Sequence, residues 1–160
     1  MHRFSTAALL VLAACQTSPP PAPYSARQIA VLEEQGFVQV GDGWELGMSD
    51  KLLFPSNESN LGQPQSKIIE DLTQALLSVG VHGARVVGHT DSTGTEAYND
   101  QLSLQRALAV KSAMTTAGMK DEEVRAEGAG ETQPIETNAT AAGRQENRRV
   151  VIVVTSVDAS

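Results

Sequence analysis

The chain has 160 residues, of which 41% are hydrophobic and 19% are charged, so it can form one packed domain with short extensions. Its net charge of −7 and its aromatic content of 4% argue against a general electrostatic or stacking interaction with nucleic acid. A single cysteine excludes an intramolecular disulfide and a cysteine-rich zinc site, and three histidines leave few ligands for a metalloenzyme.

The N-terminus has the pattern of a secretory signal. Residues 1–3 are a short positively charged start, and 4–14 form an almost continuous apolar run that is too short to span a bilayer. The run ends in Leu12-Ala13-Ala14-Cys15, which resembles the bacterial lipobox, where cleavage precedes a cysteine that then carries lipid. We therefore predict a signal peptide over 1–14 and lipidation of Cys15; a chance cysteine after an ordinary signal peptide is the alternative. Gln16 stands where the inner-membrane retention signal has Asp, which favours the outer membrane.

A tether and a short front segment follow the lipidated cysteine. Residues 15–24 are polar and Pro-rich, and we expect them to form an extended, passive spacer. The front segment, 25–48, is predicted to contain a capped helix at about 25–35 and two short strands joined by a turn. The segment either packs on the main domain or stays free. If free, it would expose three large apolar side chains that are typical of a partner surface: Leu32, Phe37 and Trp44.

Residues 49–156 alternate between apolar strands and amphipathic helices. The first predicted strand ends at 52–54, and three more cover 84–90, 124–129 and 150–154. The first predicted helix begins at Pro64, and two more cover 99–117 and about 140–146. This order predicts an α+β fold, a two-layer sandwich of the form β-α-β-α-β-(short α)-β, with the helices packed on a mixed sheet.

One charged residue lies on an apolar helix face. Arg106 is four residues from both Leu102 and Val110, which belong to the apolar stripe of the second long helix. A charge that faces the core is costly unless it is paired, and Asp91, just past the preceding strand, is the nearest candidate. The two residues form either a structural salt bridge or a cleft in which the carboxylate binds an ammonium and the guanidinium binds a carboxylate.

A series of short motifs surrounds this pair: Gly88-His89-Thr90-Asp91, Asn99-x-x-Leu102-Ser103-x-x-Arg106-Ala107, Gly128-x-Gly130, Asn138-x-Thr140 and Gly143-Arg144-x-x-Asn147-Arg148-Arg149-Val150. In this order, over about 50–155, they resemble the OmpA C-terminal domain, the peptidoglycan-associated fold. The resemblance implies that Asp91 and Arg106 bind the diaminopimelate of a peptidoglycan stem peptide. It further implies a supporting groove, formed by Asn99, Thr90 and Leu102.

The resemblance also implies a second wall of the groove after the first strand. Phe54 and Ser56 stand there in this chain, and Pro55 replaces the acid that is common in the family. Three arginines near the C-terminus form a basic cluster: Arg144, Arg148 and Arg149. They either bind acids of the sheet and carbonyls of the last helix or lie beside the peptide carboxylates, and Arg149 is included in the predicted site.

The front segment carries its own resemblance, over 25–37 and 43–49, to the outer-membrane lipoproteins of periplasmic tripartite signalling systems. That likeness implies capture of a soluble periplasmic repressor, which frees an inner-membrane diguanylate cyclase and raises cyclic-di-GMP. The alternative is a structural tether that joins the outer membrane to the wall without signalling; whether the chain forms a homodimer stays open.

Other features favour neither catalysis nor a cofactor. His89-x-Asp91 lacks a third metal ligand in the sequence nearby, and Gly128-Ala129-Gly130 lacks the glycine-rich phosphate fingerprint. No Ser/His/Asp order or pair of carboxylates indicates hydrolysis of the wall. We therefore expect a lipid-anchored protein that faces the periplasm and binds peptidoglycan, with no enzyme activity, metal, cofactor or nucleic-acid partner.

Overall fold

A computed structural model of the chain describes residues 24–54 and 59–155. The predicted signal peptide, Cys15, nearly all of the tether, Pro55 and Ser56 lie outside these ranges. The described strands are β1 (Val38–Val40), β2 (Gly43–Ser49), β3 (Ala84–His89), β4 (Val124–Gly128) and β5 (Arg149–Val154). The described helices are α1 (Ala26–Glu34), α2 (Asp50–Leu53), α3 (Gln63–Ser78), α4 (Glu96–Thr116) and α5 (Ala141–Asn147).

The strands form one mixed sheet in the order β1-β2-β5-β3-β4. Only β3 and β4 run parallel among the described pairs, and the other neighbours are antiparallel. The long helices α3 and α4 pack on one face of the sheet. Buried apolar residues of both layers meet there, among them Ile69, Leu76, Val86, Val110, Met114 and Ile152, each fully shielded from solvent. The predicted α+β sandwich is confirmed.

Local signals explain where the helices begin and end. Ser25 caps α1, since its hydroxyl accepts from the backbone N–H of Gln28 while the Gln28 side chain accepts from the N–H of Ser25 at 2.8 Å. Thr95 caps α4 by accepting from Tyr98 N–H at 3.2 Å. This cap places the start of α4 three residues before the predicted start at 99.

The strand predicted to end at 52–54 is wrong, because these residues belong to α2 and its C-terminal cap. Ser49 caps this turn by accepting from Lys51 N–H, and Phe54 N–H donates back to Asp50 O. Leu53 and Phe54 are adjacent and both buried, which a helical turn permits and the alternating sides of a strand do not. The strand that lies next to this position in the chain is β2, which ends at Ser49.

β2 lies inside the sheet although most of its residues belong to the front segment. It pairs with β5 along its length, with Trp44 opposite Val154 and Met48 opposite Val150. Trp44 and Met48 are buried on the helix side of the sheet. The front segment therefore contributes a strand to the same sheet that carries the site.

Gly88 allows α4 to approach the sheet. A Cβ at this position would stand 2.0 Å from the carbonyl oxygen of Ser103 on α4, a distance that no side chain tolerates. We expect Gly88→Ala to lower the free energy of unfolding by about 3 kcal/mol or more, because backbone must move on both sides of the contact. The matched control is Gly47→Ala, since a Cβ on Gly47 meets nothing within 4 Å. Urea denaturation of both variants tests this, and equal stabilities would contradict it.

Candidate functional site

A cleft of about 370 Å³ opens where β3 ends and β5 begins, beside the first half of α4. It brings together five of the residues that the sequence predicted: Thr90, Asp91, Asn99, Leu102 and Arg106. Four further residues complete its lining: Thr93, Tyr98, Arg144 and Arg148. The cleft thus combines one carboxylate with three guanidinium groups.

Arg106 is buried, as its position on the apolar stripe predicted, with 2% of its surface exposed. Its guanidinium carbon lies 5.3 Å from the centre of the Phe54 ring, a cation–π contact that orients the side chain. Within the described residues, its Nε and Nη1 atoms have no hydrogen-bond partner. A buried guanidinium with uncommitted donors is a costly arrangement that a bound anion would relieve.

The ion partner of Arg106 differs from the predicted one. Its Nη1 lies 3.6 Å from Asp50 Oδ2, whereas Asp91 is paired with Arg148. Asp50 reaches this position because α2 turns it inward, and it is itself buried. Asp50 was not among the predicted site residues, because the sequence pattern predicts a strand that ends just after it, at 52–54, and not a helical turn.

Arg148 bridges the two acids. Its Nη1 donates to Asp91 Oδ2 at 2.6 Å, and its Nε donates to Asp50 Oδ2 at 3.1 Å. A third bond, from Nη2 to Gln145 Oε1 at 2.7 Å, fixes the other side of the guanidinium. Of the two readings left open for the basic cluster, pairing with acids applies to Arg148.

The surrounding charges set the protonation states in the cleft. Burial opposes ionisation of Asp91, but hydrogen bonds from Arg148 and from Thr93 N–H outweigh it and lower the pKa of Asp91. Burial lowers the pKa of Arg106, which Asp50 partly offsets; a guanidinium still remains protonated at neutral pH. At pH 7 the cleft therefore presents the ionised carboxylate of Asp91 beside the charged, buried guanidinium of Arg106.

The lowered pKa of Asp91 predicts a pH dependence of stability. A carboxyl group whose folded pKa lies below its unfolded value stabilises the fold at neutral pH, and that stabilisation disappears as the pH falls through the folded pKa, below about 4. Asp91→Asn should therefore lose stability at pH 7 and show a weaker loss than the wild type between pH 5 and pH 2. Unfolding free energies measured across this range test it, and parallel curves for both proteins would contradict it.

Two polar residues hold the loop that carries Asp91. Asn99 donates from Nδ2 to the backbone carbonyl of Asp91 at 3.2 Å and also to Glu131. Thr90 N–H donates to Gly130 O at 2.8 Å, while the buried Thr90 hydroxyl has no hydrogen-bond partner within the described part of the chain. The loop is thus fixed from α4 on one side and from the β4 end on the other.

Arg149 does not join this cleft. Arg148 is the extended C-cap residue of α5 and reaches the Asp91 cleft, while Arg149, the first residue of β5, lines a separate cleft with His89. Its Nη1 and Nη2 donate to the carbonyls of Asn147 and Gln133. Arg148, and not Arg149, therefore lines the cleft with Asp91 and Arg106, and the predicted contact of Arg149 with peptidoglycan stays a prediction.

The front segment is packed on the domain. Leu32, Phe37 and Trp44 are 0%, 4% and 5% exposed, and they belong to the main hydrophobic core. Tyr24, the first described residue, stacks edge-on against Trp44 with ring centres 6.3 Å apart, and its hydroxyl donates to Val154 O at 3.0 Å. The chain therefore enters the fold at the end of β5 that is opposite to the cleft.

The fold and the placement of these motifs agree with comparisons to known proteins. The pattern of the OmpA family matches residues 53–148. The chain belongs to the OmpA family. It is 45% identical over 146 residues to the outer-membrane lipoprotein YfiB of Pseudomonas aeruginosa. The alignment covers 91% of this chain and 87% of the relative. It is 37% identical over 148 residues to the putative lipoprotein YfiB of Escherichia coli, covering 92% and 91% of the two chains.

Solved structures of OmpA-like domains share the architecture. The cell wall anchor of the T6SS from Pseudomonas aeruginosa superposes with a TM-score of 0.69 and 29% identity, covering 84% of this chain and 98% of that one. The peptidoglycan-associated lipoprotein from Burkholderia pseudomallei superposes with a TM-score of 0.57 and 25% identity, covering 67% and 87%. Family and neighbours support an association of this OmpA-family chain with peptidoglycan. The names of the close relatives are consistent with a lipid-anchored outer-membrane protein that faces the periplasm.

The described residues contain neither a helix that could span a membrane nor a cluster of metal ligands. None of the helices in the described ranges is long and apolar enough to cross a membrane. Within 24–54 and 59–155, no group of three histidine, cysteine or acidic side chains is placed to hold a metal ion.

Proposed function

We propose that the cleft binds the diaminopimelate of a peptidoglycan stem peptide. Diaminopimelate ends in a carbon that carries both an ammonium and a carboxylate, so it needs one acid and one base side by side. Asp91 supplies the acid and Arg106 the base, and both line the cleft. The observation that carries the proposal is the buried Nε of Arg106, which has no hydrogen-bond partner among the described residues, while Nη1 makes no hydrogen bond there and lies 3.6 Å from Asp50 Oδ2.

The geometry favours a carboxylate at Arg106. A planar guanidinium binds a carboxylate through two parallel hydrogen bonds, and the Phe54 ring and Asp50 already hold this guanidinium in place. Because the fork is positioned before the ligand arrives, little conformational entropy is lost on binding. The buried Thr90 hydroxyl offers one further donor on the same wall.

Asp91 binds the ammonium in competition with Arg148. Its Oδ1 accepts from Thr93 N–H and its Oδ2 accepts from Arg148, so an incoming ammonium shares these oxygens. Asn99 keeps the Asp91 loop fixed, while Leu102 and Tyr98 form the apolar side of the cleft. Ser56 and the wall after Phe54 remain part of the proposal, although Ser56 lies outside the described residues.

Calorimetric titration with a diaminopimelate-containing stem tripeptide tests the site. Asp91→Ala should weaken binding about tenfold or more, because the ligand ammonium loses its charged partner while the rest of the cleft stays intact. Asp71→Ala is the matched control, since Asp71 is an exposed acid on α3 that pairs only with Lys67 among the described residues. Equal affinities for the two correctly folded variants would overturn the site.

We further propose that the front segment captures a periplasmic repressor of an inner-membrane diguanylate cyclase, while Cys15 holds the chain in the outer membrane. The 45% identity to a lipoprotein named YfiB, which extends over the front segment, supports this proposal. The packed state described above buries Leu32, Phe37 and Trp44. Detachment of the stretch from α1 to β1 would release Leu32 and Phe37 and uncover Trp44 on β2, which would present an apolar surface to the repressor.

Release of the front segment would also lengthen the connection to the membrane. In the packed state the tether joins the domain at Tyr24, next to Val154. If α1 and β1 detached, the 17 residues from 24 to 40 would add up to about 55 Å of extended chain. The same event would thus expose the partner surface and extend the reach from the outer membrane toward the wall.

A further inference from the structure

A second and larger cleft lies on the face of the sheet opposite the helices. Its volume is about 900 Å³, and it extends around β4 to the outer side of α4. Three valines of β3 and β5 form its floor: Val87, Val151 and Val153. Side chains of both charge signs surround this floor: Glu45, Arg85, Asp100, Glu127 and Arg149. Nothing in the proposed diaminopimelate site uses this cleft.

His89 is the unusual residue of the second cleft. Its side chain lines the cleft, yet only 3% of the residue is exposed. Its Nδ1 is buried and has no hydrogen-bond partner in the described ranges. Buried imidazole nitrogens are normally paired with protein or water, so an unpaired one beside a cleft is a position where a water or a ligand atom can bind.

Arg149 lies directly opposite His89 on the neighbouring strand. Two of its donors are used by the backbone carbonyls of Asn147 and Gln133, which fix the guanidinium plane. A guanidinium has five N–H groups, so further donors remain for a ligand. His89 and Arg149 together therefore form a rigid pair that suits a carboxylate.

The acids of the cleft offer positions for an ammonium group. Glu127 is paired with Arg85 at 3.4 Å. Glu45 makes no ion pair within 4 Å among the described residues but is close enough to Arg149 to favour its charged form, and Asp100 has no ion-pair partner in the described ranges. An ammonium group would neutralise either of them. The cleft thus combines basic groups with spare donors, carboxylates and an apolar floor.

We propose that this second cleft binds a zwitterionic amino-acid or peptide group, with its carboxylate at Arg149 and His89 and its ammonium toward Glu45 or Asp100. Such a group occurs both in free amino acids and in the stem peptides of the wall. The proposal is independent of the Asp91–Arg106 cleft, because it uses other side chains on the other face of the sheet.

Binding at this place changes the titration of His89 in a definite direction. Burial, with a smaller contribution from Arg149, lowers the pKa of His89 to about 4, so the free imidazole is neutral at pH 7. A carboxylate that neutralises Arg149 and accepts from the imidazole favours the protonated form. The other charged groups around the cleft are Glu45, Arg85, Asp100 and Glu127, and they are present in both the free and the bound states.

The test is an NMR titration of the imidazole signals in the full chain, held in detergent micelles and carrying Asp91→Ala and Arg106→Gln so that the first cleft is disabled. Free diaminopimelate is one probe and the stem tripeptide is the other. With at least one probe at saturation, we expect the pKa of His89 to rise by about one unit or more. The imidazole signals of His82, which is exposed and lies outside the cleft lining, are the internal control and should not respond to either probe.

Two further variants in the same background assign the shift. Arg149→Gln should abolish it, while Arg125→Gln, an exposed change on β4 outside the cleft lining, should preserve it. If free diaminopimelate raises the pKa of His89, a free amino acid is a sufficient ligand for the second cleft. If only the tripeptide raises it, the ligand is the stem peptide. The proposal is overturned if the His89 pKa is unchanged with both probes, or if the shift persists in Arg149→Gln.

Discussion

Arg106→Gln should weaken binding of the stem tripeptide by a factor of about 30 or more, while it leaves the fold nearly as stable as the wild type. The binding loss follows because the ligand carboxylate would enter a buried site without its charged fork, a loss of about 2–5 kcal/mol. The small effect on stability follows because Arg106 leaves Nε and Nη1 without hydrogen bonds in the described chain, and Arg148 still pairs with Asp50.

The two readings of Arg106 make opposite predictions for this variant. A structural salt bridge requires that its removal destabilise the protein strongly, by about 3–5 kcal/mol, since the buried Asp50 would lose one of its two charged partners. A ligand site requires a loss of affinity instead. Arg106→Lys is the matched control, because it keeps the charge near Asp50 and loses the planar fork. We expect intermediate affinity for it, and full affinity for Arg106→Gln would contradict the account.

Leu32→Pro should release the front segment and increase capture of the periplasmic repressor several-fold. Proline inside α1 removes a backbone donor and collides with the preceding turn, which costs about 3 kcal/mol or more. Loss of the buried leucine adds about 1.5–3 kcal/mol, since Leu32 is fully shielded from solvent. The sum exceeds the few kcal/mol that separate the two states of a typical switch.

The control for this experiment introduces the same residue where a helix tolerates it. Ala26 is the first residue of α1 and is exposed, so Ala26→Pro should leave the segment packed. Co-purification of the repressor and the cyclic-di-GMP level are the readouts, with tripeptide affinity expected to stay within about twofold because the Asp91 cleft lies at the far end of β5. If Leu32→Pro at wild-type abundance changes neither readout, the chain is a tether without a signalling role.

The sequence predicted most of the fold because its signals there are strong and redundant. The helix at 26–34 has a capping box, a periodic apolar face and a terminal glycine, and all three agree. The strand predicted at 52–54 failed because two adjacent apolar residues, Leu53 and Phe54, are equally compatible with a strand and with a helical turn. The helical turn forms because it buries both side chains in the folded core, and a local sequence pattern carries no information about that burial.

The sequence motifs predicted which residues line the site, but they did not predict which charged residues pair with each other. Asp91 and Arg106 meet in one cleft, yet the ion partner of Arg106 is Asp50, which lies 56 positions earlier and carries no local signal. The exchange of Arg149 for Arg148 has a simple geometric origin. Arg148 ends α5 in an extended conformation and Arg149 begins β5, so the two adjacent side chains line different clefts, and the sequence alone leaves the choice between the two arginines open.

The most direct test of the diaminopimelate site compares two stem tripeptides that differ in a single group. Lysine has the carbon chain and the ammonium of diaminopimelate but lacks the terminal carboxylate that Arg106 is proposed to bind. Calorimetry with the wild type should show binding of the diaminopimelate tripeptide that is about tenfold or more tighter than that of the lysine tripeptide, since a charged hydrogen bond contributes about 1.5–3 kcal/mol. Arg106→Gln should lose this preference. Equal affinity of the wild type for the two tripeptides would contradict the account.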